Sequence, residues 1–323
     1  MTRDATDTPL DADARREAPR ATRRRRRRFT RRVRRRLPPL SVMPTLVTLG
    51  NLVAGFAAVY YASKPEDYTG PWGWSSLSVA GSLILLGMML DAIDGSLARL
   101  THSFSEFGGQ LDSLADLVTF GVAPAFMMLR LLSQYVGHEG TPPILGPEAD
   151  NAFSKVLWGV AAVYVCCTTL RLARFNVESP SAGAEDHLVF RGLPSPGAGG
   201  AVASLIVLHE HYTHGIIAGD SMLFARWTAF GIPVVTLLCA VAMVSSIPYV
   251  HVINRYVRGR RTFGYVARFV IPFCLAIWWF QEVLAFGFTM YAISSPLRLT
   301  VSRIRRRVRG SNHGPEPAEA GSA

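Results

Sequence analysis

Long apolar segments separated by short polar loops constrain this chain of 323 residues more than any other feature of its sequence. An α-helix needs about 20 residues to cross a bilayer, and several segments approach that length. They occupy residues 44–62, 76–99, 108–133, 152–175, 197–212 and 222–244. A further apolar stretch, 265–299, divides at Gln281 and Glu282 into two arms of about 16 residues each, shorter than a usual span. The sequence therefore predicts an all-α polytopic membrane protein, a transmembrane helix bundle of about eight spans, with seven as the alternative.

Arginine marks both ends of the chain. The net charge is +11, and the N-terminal region contains six consecutive arginines, Arg23 to Arg28. A segment so charged and so poor in apolar residues cannot form a core. We therefore expect a disordered Arg-rich cytoplasmic arm at 1–37, a transmembrane domain at 38–299, and a C-terminal tail at 300–323 that is basic and then polar. Beside a membrane segment, the arm is expected to bind anionic lipids and no specific nucleic acid.

The distribution of positive charge predicts the orientation in the membrane. Cytoplasmic loops of membrane proteins carry an excess of Lys and Arg. If the arm is cytoplasmic, the loops that contain Arg99, Arg191 and Arg255 fall on the same side. The sequence thus predicts an integral protein of the inner, cytoplasmic membrane whose functional residues face the cytoplasm.

Four aspartates interrupt the apolar background between residues 91 and 116. Asp91 and Asp94 share one helix face, and Asp112 and Asp116 share a face of the next helix. Burial of a charged side chain in a membrane segment costs free energy, so such a cluster indicates a functional site. The carboxylates need divalent cations to offset their charge, and two hard ions suit phosphoryl chemistry. All four aspartates are therefore predicted metal ligands. Hard oxygen ligands favour magnesium, manganese or calcium, and we expect two ions of Mg²⁺ or Mn²⁺.

The complete pattern, D-x2-D-G-x2-A-R-x8-G-x3-D-x3-D, resembles the signature of the CDP-alcohol phosphotransferase family, and every fixed position is matched. The resemblance implies the family's fold and an enzyme in which an alcohol attacks the diphosphate of a CDP-linked lipid. It implies that Asp116 completes a metal site or acts as the catalytic base. It also implies a binding site for CDP-diacylglycerol at Gly95, Ala98, Arg99 and Gly108. In this site Gly95 and Ala98 admit the cytidine, and Arg99 binds phosphate.

Two further stretches, 171–176 and 192–196, resemble the CDP-diacylglycerol–serine O-phosphatidyltransferases within this family. That resemblance implies phosphatidyl transfer to the hydroxyl of L-serine, giving phosphatidylserine and CMP in phospholipid biosynthesis. Arg171 and Arg174 are candidate ligands of the serine carboxylate because a guanidinium donates two parallel hydrogen bonds to it. Anchoring to lipid headgroups or phosphates is the alternative. The resemblance favours Arg174 together with Phe175.

Three alternatives stay open. Another acceptor, glycerol 3-phosphate or inositol phosphate, would keep the reaction class, whereas an ion transporter with intramembrane carboxylates is a different class that leaves Gly95 and Ala98 unexplained.

Thr48 and Asn51, on the first apolar segment, either face the aspartates or only support helix packing. The small residues of that segment also permit a homodimer.

Overall fold

The computed structural model describes residues 42–65, 67–100, 106–136, 145–149, 151–178, 189–213, 220–250 and 278–311. The predicted N-terminal arm, residues 265–277 of the apolar stretch at 265–299, and residues 312–323 lie outside these ranges. The side chains at 98–100 and 299–311 lie outside them as well.

The described chain is predominantly helical, which confirms the predicted fold class. The helices are α1 (Val42–Ala62), α2 (Ser76–Leu100), α3 (Glu106–Asp116), α4 (Ala123–Val136), α5 (Ala152–Glu178), α6 (Ser195–Thr213), α7 (Asp220–Val244) and α8 (Phe280–Ser311). A π-helical segment, Leu117–Val122, joins α3 to α4 without a break. Each predicted segment up to residue 244 corresponds to one helix or continuous helical run, with ends that differ by a few residues.

Within the described ranges, five helical runs are long and apolar enough to cross a membrane. They are Met43–Ala62, Ser76–Leu97, Glu106–Val136, Ala152–Glu178 and Leu223–Val244. The total of eight or seven spans stays a prediction. The last predicted span corresponds to α8. This helix begins at Phe280, beside the predicted turn, and continues through the basic region to Ser311.

Helix α6 forms the centre of the bundle and packs against α2, α7 and α8. Its first half consists largely of glycine and alanine, which lets neighbouring helices approach its backbone closely. A Cβ on Gly199 would lie 3.0 Å from Phe120 Cα, and one on Gly200 would lie 2.7 Å from Phe288 Cε1. These glycines are therefore required where the π-helical segment and α8 pack on the backbone of α6.

A short antiparallel ribbon leads the chain into α6. Strand β1 (Val189–Arg191) pairs with β2 (Pro248–Val250), with Phe190 opposite Tyr249. Gly192 follows β1 with φ +88°, a left-handed conformation that favours glycine, and its N–H donates to Ile247 O at 2.9 Å. This connection fixes the start of α6 beneath the end of α7, where Leu193 N–H donates to Ala242 O at 3.0 Å.

Helix α1 is held at both ends by side chains of other helices. At its C-terminus, Arg130 of α4 donates through Nε to Ala62 O at 3.1 Å and through Nη2 to Lys64 O at 3.2 Å. These carbonyls belong to the last turn of α1 and the residues after it, where no N–H group of the helix is available as a donor. At its other end, polar side chains of α1 reach the aspartates described next.

Candidate active site

Three of the four aspartates converge in the structure. Asp91 near the end of α2 and Asp112 and Asp116 of α3 each offer a carboxylate oxygen, and these oxygens lie within 4.8 Å of one another. Asp116 is buried, and the other two are half-buried. We call this group of three carboxylates, Asp91, Asp112 and Asp116, the acid cluster. It contains both predicted aspartates of α3 and the first of the two on α2.

The acid cluster fits a hard divalent cation. At such separations, two ionised carboxylates repel each other by roughly 3–4 kcal/mol at an effective dielectric constant of about 20. Asp112 Oδ1 is buried and has no hydrogen-bond partner among the described residues. A buried, unpartnered carboxylate oxygen beside two like charges is costly, and coordination to Mg²⁺ or Mn²⁺ would satisfy it. The oxygen-only donor set therefore matches the predicted ions.

Asp94 lies at the edge of the acid cluster. It is buried, with 5% of its surface exposed, and interacts electrostatically with both Asp91 and Asp112. Its Oδ2 accepts a hydrogen bond of 2.8 Å from Thr48 Oγ1 of α1. In the same way, Asp116 Oδ1 accepts a hydrogen bond of 3.2 Å from Asn51 Nδ2. Of the two readings of α1, the structure supports the one in which Thr48 and Asn51 face the aspartates.

The π-helical segment begins immediately after Asp116 and is bound on two sides. Thr119 Oγ1 donates to Asn51 O at 3.0 Å, which joins the segment to α1. Tyr164, fully buried on α5, donates its hydroxyl hydrogen to Phe120 O at 3.0 Å. Short π-helical turns occur often at functional sites, where they change the direction of neighbouring side chains. Here the segment separates the carboxylate-bearing turn of α3 from the packed helix α4.

Arg171 brings a positive charge to the acid cluster. This residue of α5 is half-buried and interacts electrostatically with Asp116, Tyr291 and Asp91. Its Nη1 donates to Ser195 Oγ, the first residue of α6, at 2.6 Å. The structure thus joins the two stretches that the sequence analysis singled out, 171–176 and 192–196, through one guanidinium–hydroxyl contact.

Arg174 and Phe175 lie further along α5 and are more exposed. Arg174 Nε forms an ion pair of 2.8 Å with Glu178 one turn later. Phe175 has 45% of its surface exposed. Asn176 Nδ2 donates to Ser113 Oγ at 2.9 Å, which ties this end of α5 to the helix that carries Asp112 and Asp116. Of the three predicted serine ligands, Arg171 is thus the one with electrostatic contacts to the acid cluster.

The predicted CDP-diacylglycerol residues follow the aspartates of α2. A Cβ built on Gly95 would meet no atom of the described chain within 4 Å, so α2 has open space beside Asp94. Gly108 is half-buried in the first turn of α3. Ala98 and Arg99 belong to α2, but their side chains lie outside the described part of the structure. Their assigned roles stay predictions.

Ser195 and Tyr291 both interact with Arg171, the guanidinium beside the acid cluster, although no role is predicted for either of them from the sequence. Both come from elements distant in sequence from the aspartates. Tyr291 of α8 packs on the backbone of α6, since a Cβ on Gly197 would lie 2.9 Å from its Cε1. The motif at 192–196 marked the region of Ser195, whereas no local pattern distinguishes Tyr291 from other aromatic residues of an apolar helix.

Comparison with known proteins assigns the chain to a family. The sequence model of the CDP-alcohol phosphatidyltransferases matches residues 41–293. The chain is 31% identical over 211 residues to the CDP-diacylglycerol–serine O-phosphatidyltransferase of Helicobacter pylori, covering 65% of this chain and 73% of that protein. Proteins of the same name from Bacillus subtilis and Methanocaldococcus jannaschii are 31% identical over 179 residues and 29% identical over 233 residues. These matches cover 55% and 72% of this chain, and 81% of each relative. With three of the four signature aspartates gathered into one carboxylate cluster, the chain belongs to the CDP-alcohol phosphatidyltransferase family and is a transferase.

Proposed function

We propose that this enzyme transfers the phosphatidyl group of CDP-diacylglycerol to the hydroxyl of L-serine, giving phosphatidylserine and CMP. The observation that carries the proposal is the acid cluster with a guanidinium, Arg171, beside it. The cluster suits the diphosphate through divalent cations, and the guanidinium suits the carboxylate of an amino acid. The names of the relatives support serine as the acceptor.

In this proposal the aspartates have two roles. Asp91, Asp94 and Asp112 hold two divalent ions, and Asp116 completes the second site or accepts a proton. When bound, Mg²⁺ or Mn²⁺ ions neutralise the diphosphate and stabilise the charge that develops on the departing CMP.

The transfer itself is a displacement at the β-phosphorus. The serine oxygen forms a bond to this phosphorus, the bond from the phosphorus to the oxygen shared with the α-phosphate breaks, and CMP leaves with that electron pair. In the role of base, Asp116 takes the hydroxyl proton of serine. Because a carboxylate is a weak base for an alcohol, the proton moves as the new bond forms.

The substrates occupy different sides of the acid cluster in this proposal. The cytidine approaches α2 at Gly95 and Ala98, and Arg99 and Gly108 lie on the phosphate side. The serine carboxylate binds the guanidinium of Arg171, whose contact with Ser195 limits the number of orientations it can adopt. Arg174 and Phe175, further along α5, are proposed as additional contacts of serine.

We also propose that the acid cluster faces the cytoplasm from the inner membrane. Arg99 lies at the end of α2 and Arg174 near the end of α5, and the positive-inside rule puts such helix ends on the cytoplasmic side. Both L-serine and the released CMP are water-soluble and would exchange with that compartment. The arm at 1–37 would bind anionic lipids on the same side, and a homodimer is compatible with the small residues of α1.

The proposal is tested by incorporation of labelled serine into lipid. Purified full-length protein, CDP-diacylglycerol and Mg²⁺ or Mn²⁺ should convert radiolabelled L-serine into labelled phosphatidylserine and release one CMP for each lipid formed. Glycerol 3-phosphate and inositol phosphate, offered separately, should give no labelled lipid. A product with either of these and none with serine would overturn the acceptor assignment and leave the reaction class intact.

The two arginines of α5 should differ in their effect on serine. A lysine keeps the charge but loses the paired hydrogen bonds of a guanidinium. A hydrogen bond to a charged group contributes about 1.5–3 kcal/mol, so Arg171→Lys should raise the KM for serine by roughly 10- to 100-fold. Arg174→Lys should raise it less, because Arg174 already pairs with Glu178. Saturation curves for both substrates provide the measurement, and the KM for CDP-diacylglycerol should stay constant.

The opposite ranking would show that Arg174 is the main carboxylate ligand. A rise confined to the KM for CDP-diacylglycerol would make Arg171 a phosphate ligand and require the serine site to be sought elsewhere.

A further inference from the structure

Helix α1 carries two polar side chains that the proposed reaction does not use. Thr48 and Asn51 are three residues apart on one face of this apolar helix, and only 5% and 0% of their surfaces are exposed. Polar groups buried in a membrane segment are costly unless they are hydrogen-bonded. Their partners therefore indicate what the polar face of α1 does.

Each of the two side chains donates to a different aspartate. Thr48 Oγ1 lies 2.8 Å from Asp94 Oδ2, and Asn51 Nδ2 lies 3.2 Å from Asp116 Oδ1. The Thr48 hydroxyl also lies 3.0 Å from Pro44 O, so its single hydrogen has one alternative acceptor within the helix. Each contact is made to one oxygen of a carboxylate, Oδ2 of Asp94 and Oδ1 of Asp116.

The donors themselves are rigidly placed. Thr119 binds the backbone of Asn51, and a Cβ on Gly55 would lie 2.8 Å from Thr119 Cα, so α1 and the π-helical segment are in direct contact. A Cβ on Gly87 of α2 would lie 2.8 Å from Asn51 Oδ1, which shows how closely α2 approaches on the other side. The amide of Asn51 therefore has little freedom to turn away from Asp116.

The two aspartates occupy different parts of the site. Asp116 belongs to the acid cluster with Asp91 and Asp112, whereas Asp94 lies at its edge and is outside the group of oxygens within 4.8 Å. We propose that Thr48 and Asn51 are positioning residues, and that α1 holds Asp94 and Asp116 apart so that each binds a different one of two divalent ions. This inference rests on the proposed function in so far as that function requires two ions and Asp116 completes the second site.

The experiment measures metal binding without substrate. Mn²⁺ is titrated into purified full-length protein in detergent and followed by electron paramagnetic resonance, with Thr48→Val and Asn51→Leu compared with the wild type. Loss of a hydrogen bond that orients a metal ligand typically weakens binding by about 10- to 100-fold. The wild type should bind two ions, and each variant should weaken one of them by at least about 10-fold and leave the other unchanged. Thr48→Ser, which keeps the hydroxyl, should restore the affinity.

Thr236→Val provides the matched control. Thr236 is fully buried on α7 and donates to Ile232 O at 2.9 Å, so the same substitution removes a buried hydroxyl that contacts no aspartate. Its Mn²⁺ affinities should equal those of the wild type. Because valine keeps the shape of threonine, Thr48→Val decides the question even if Asn51→Leu fails to fold.

Several outcomes would overturn the inference: unchanged Mn²⁺ binding in Thr48→Val, an equal loss in Thr236→Val, or a wild type that binds one ion. The serine assay is independent of these results. A wild type that binds two ions, loses one in Thr48→Val and yet makes no phosphatidylserine would refute the proposed acceptor and support the role of α1.

Discussion

Asp94→Asn is expected to reduce turnover by at least about a thousandfold while the protein still inserts into the membrane and purifies normally. Asparagine keeps the size of the side chain but removes the negative charge that a divalent ion requires. Metal ions contribute several kcal/mol to stabilising charge in such transition states, and each 1.36 kcal/mol corresponds to a factor of ten in rate. The measurement is the rate of CMP release at saturating substrates over a range of Mg²⁺ and Mn²⁺ concentrations.

The control for this variant is Asp67→Asn. Asp67 is an exposed aspartate in the loop between α1 and α2, so the same change of charge should leave turnover unaffected. If Asp94→Asn retained near-normal turnover at saturating metal, Asp94 could not be an essential ligand, and a site with two ions would have to be abandoned.

Gly95→Leu is expected to lower kcat/KM for CDP-diacylglycerol by at least about 100-fold without destabilising the protein. A Cβ at this position meets no atom of the described chain within 4 Å, so the new side chain starts in open space. It would fill the space that we assign to the cytidine. Pockets distinguish ligands that differ by one methylene by roughly 10- to 200-fold, and leucine adds a larger obstruction than that.

Gly159→Leu is the matched control because a Cβ on Gly159 of α5 also meets no described atom within 4 Å. Both variants should show the same thermal stability, and only Gly95→Leu should lose activity. Equal activity in the two variants would mean that the nucleotide does not approach α2 at this residue.

The chemistry of the site could be predicted from sequence because it depends on local spacing. Asp112 and Asp116 lie one turn apart, and any helix brings such residues to the same face. The resemblance to the family signature then related this pair to Asp91 and Asp94 on the preceding helix. The boundaries of the helices followed from apolar length in the same way, to within a few residues.

The rest of the site depends on contacts between distant segments, which spacing does not reveal. Two roles for Thr48 and Asn51 are compatible with the sequence, because their role depends on the direction in which α1 faces its neighbours. The contact of Arg171 with Ser195 joins two motifs 24 residues apart, and Tyr291 comes from the last helix. Helix α6 shows little amphipathic pattern to indicate that it lies at the centre.

The π-helical segment after Asp116 has a consequence for the rotational phase of the whole helical run from Glu106 to Val136. Each residue of an α-helix advances the chain by about 100° around the axis, and a π-helical turn contains one extra residue. The side chains before and after the segment are thus offset by about that angle relative to an uninterrupted α-helix. Asp112 and Asp116 can therefore face the aspartates of α2 while Met127 and Leu131 face the core. Reactive and packing surfaces of one helix can consequently be oriented independently, with Tyr164 and Thr119 holding the junction between them.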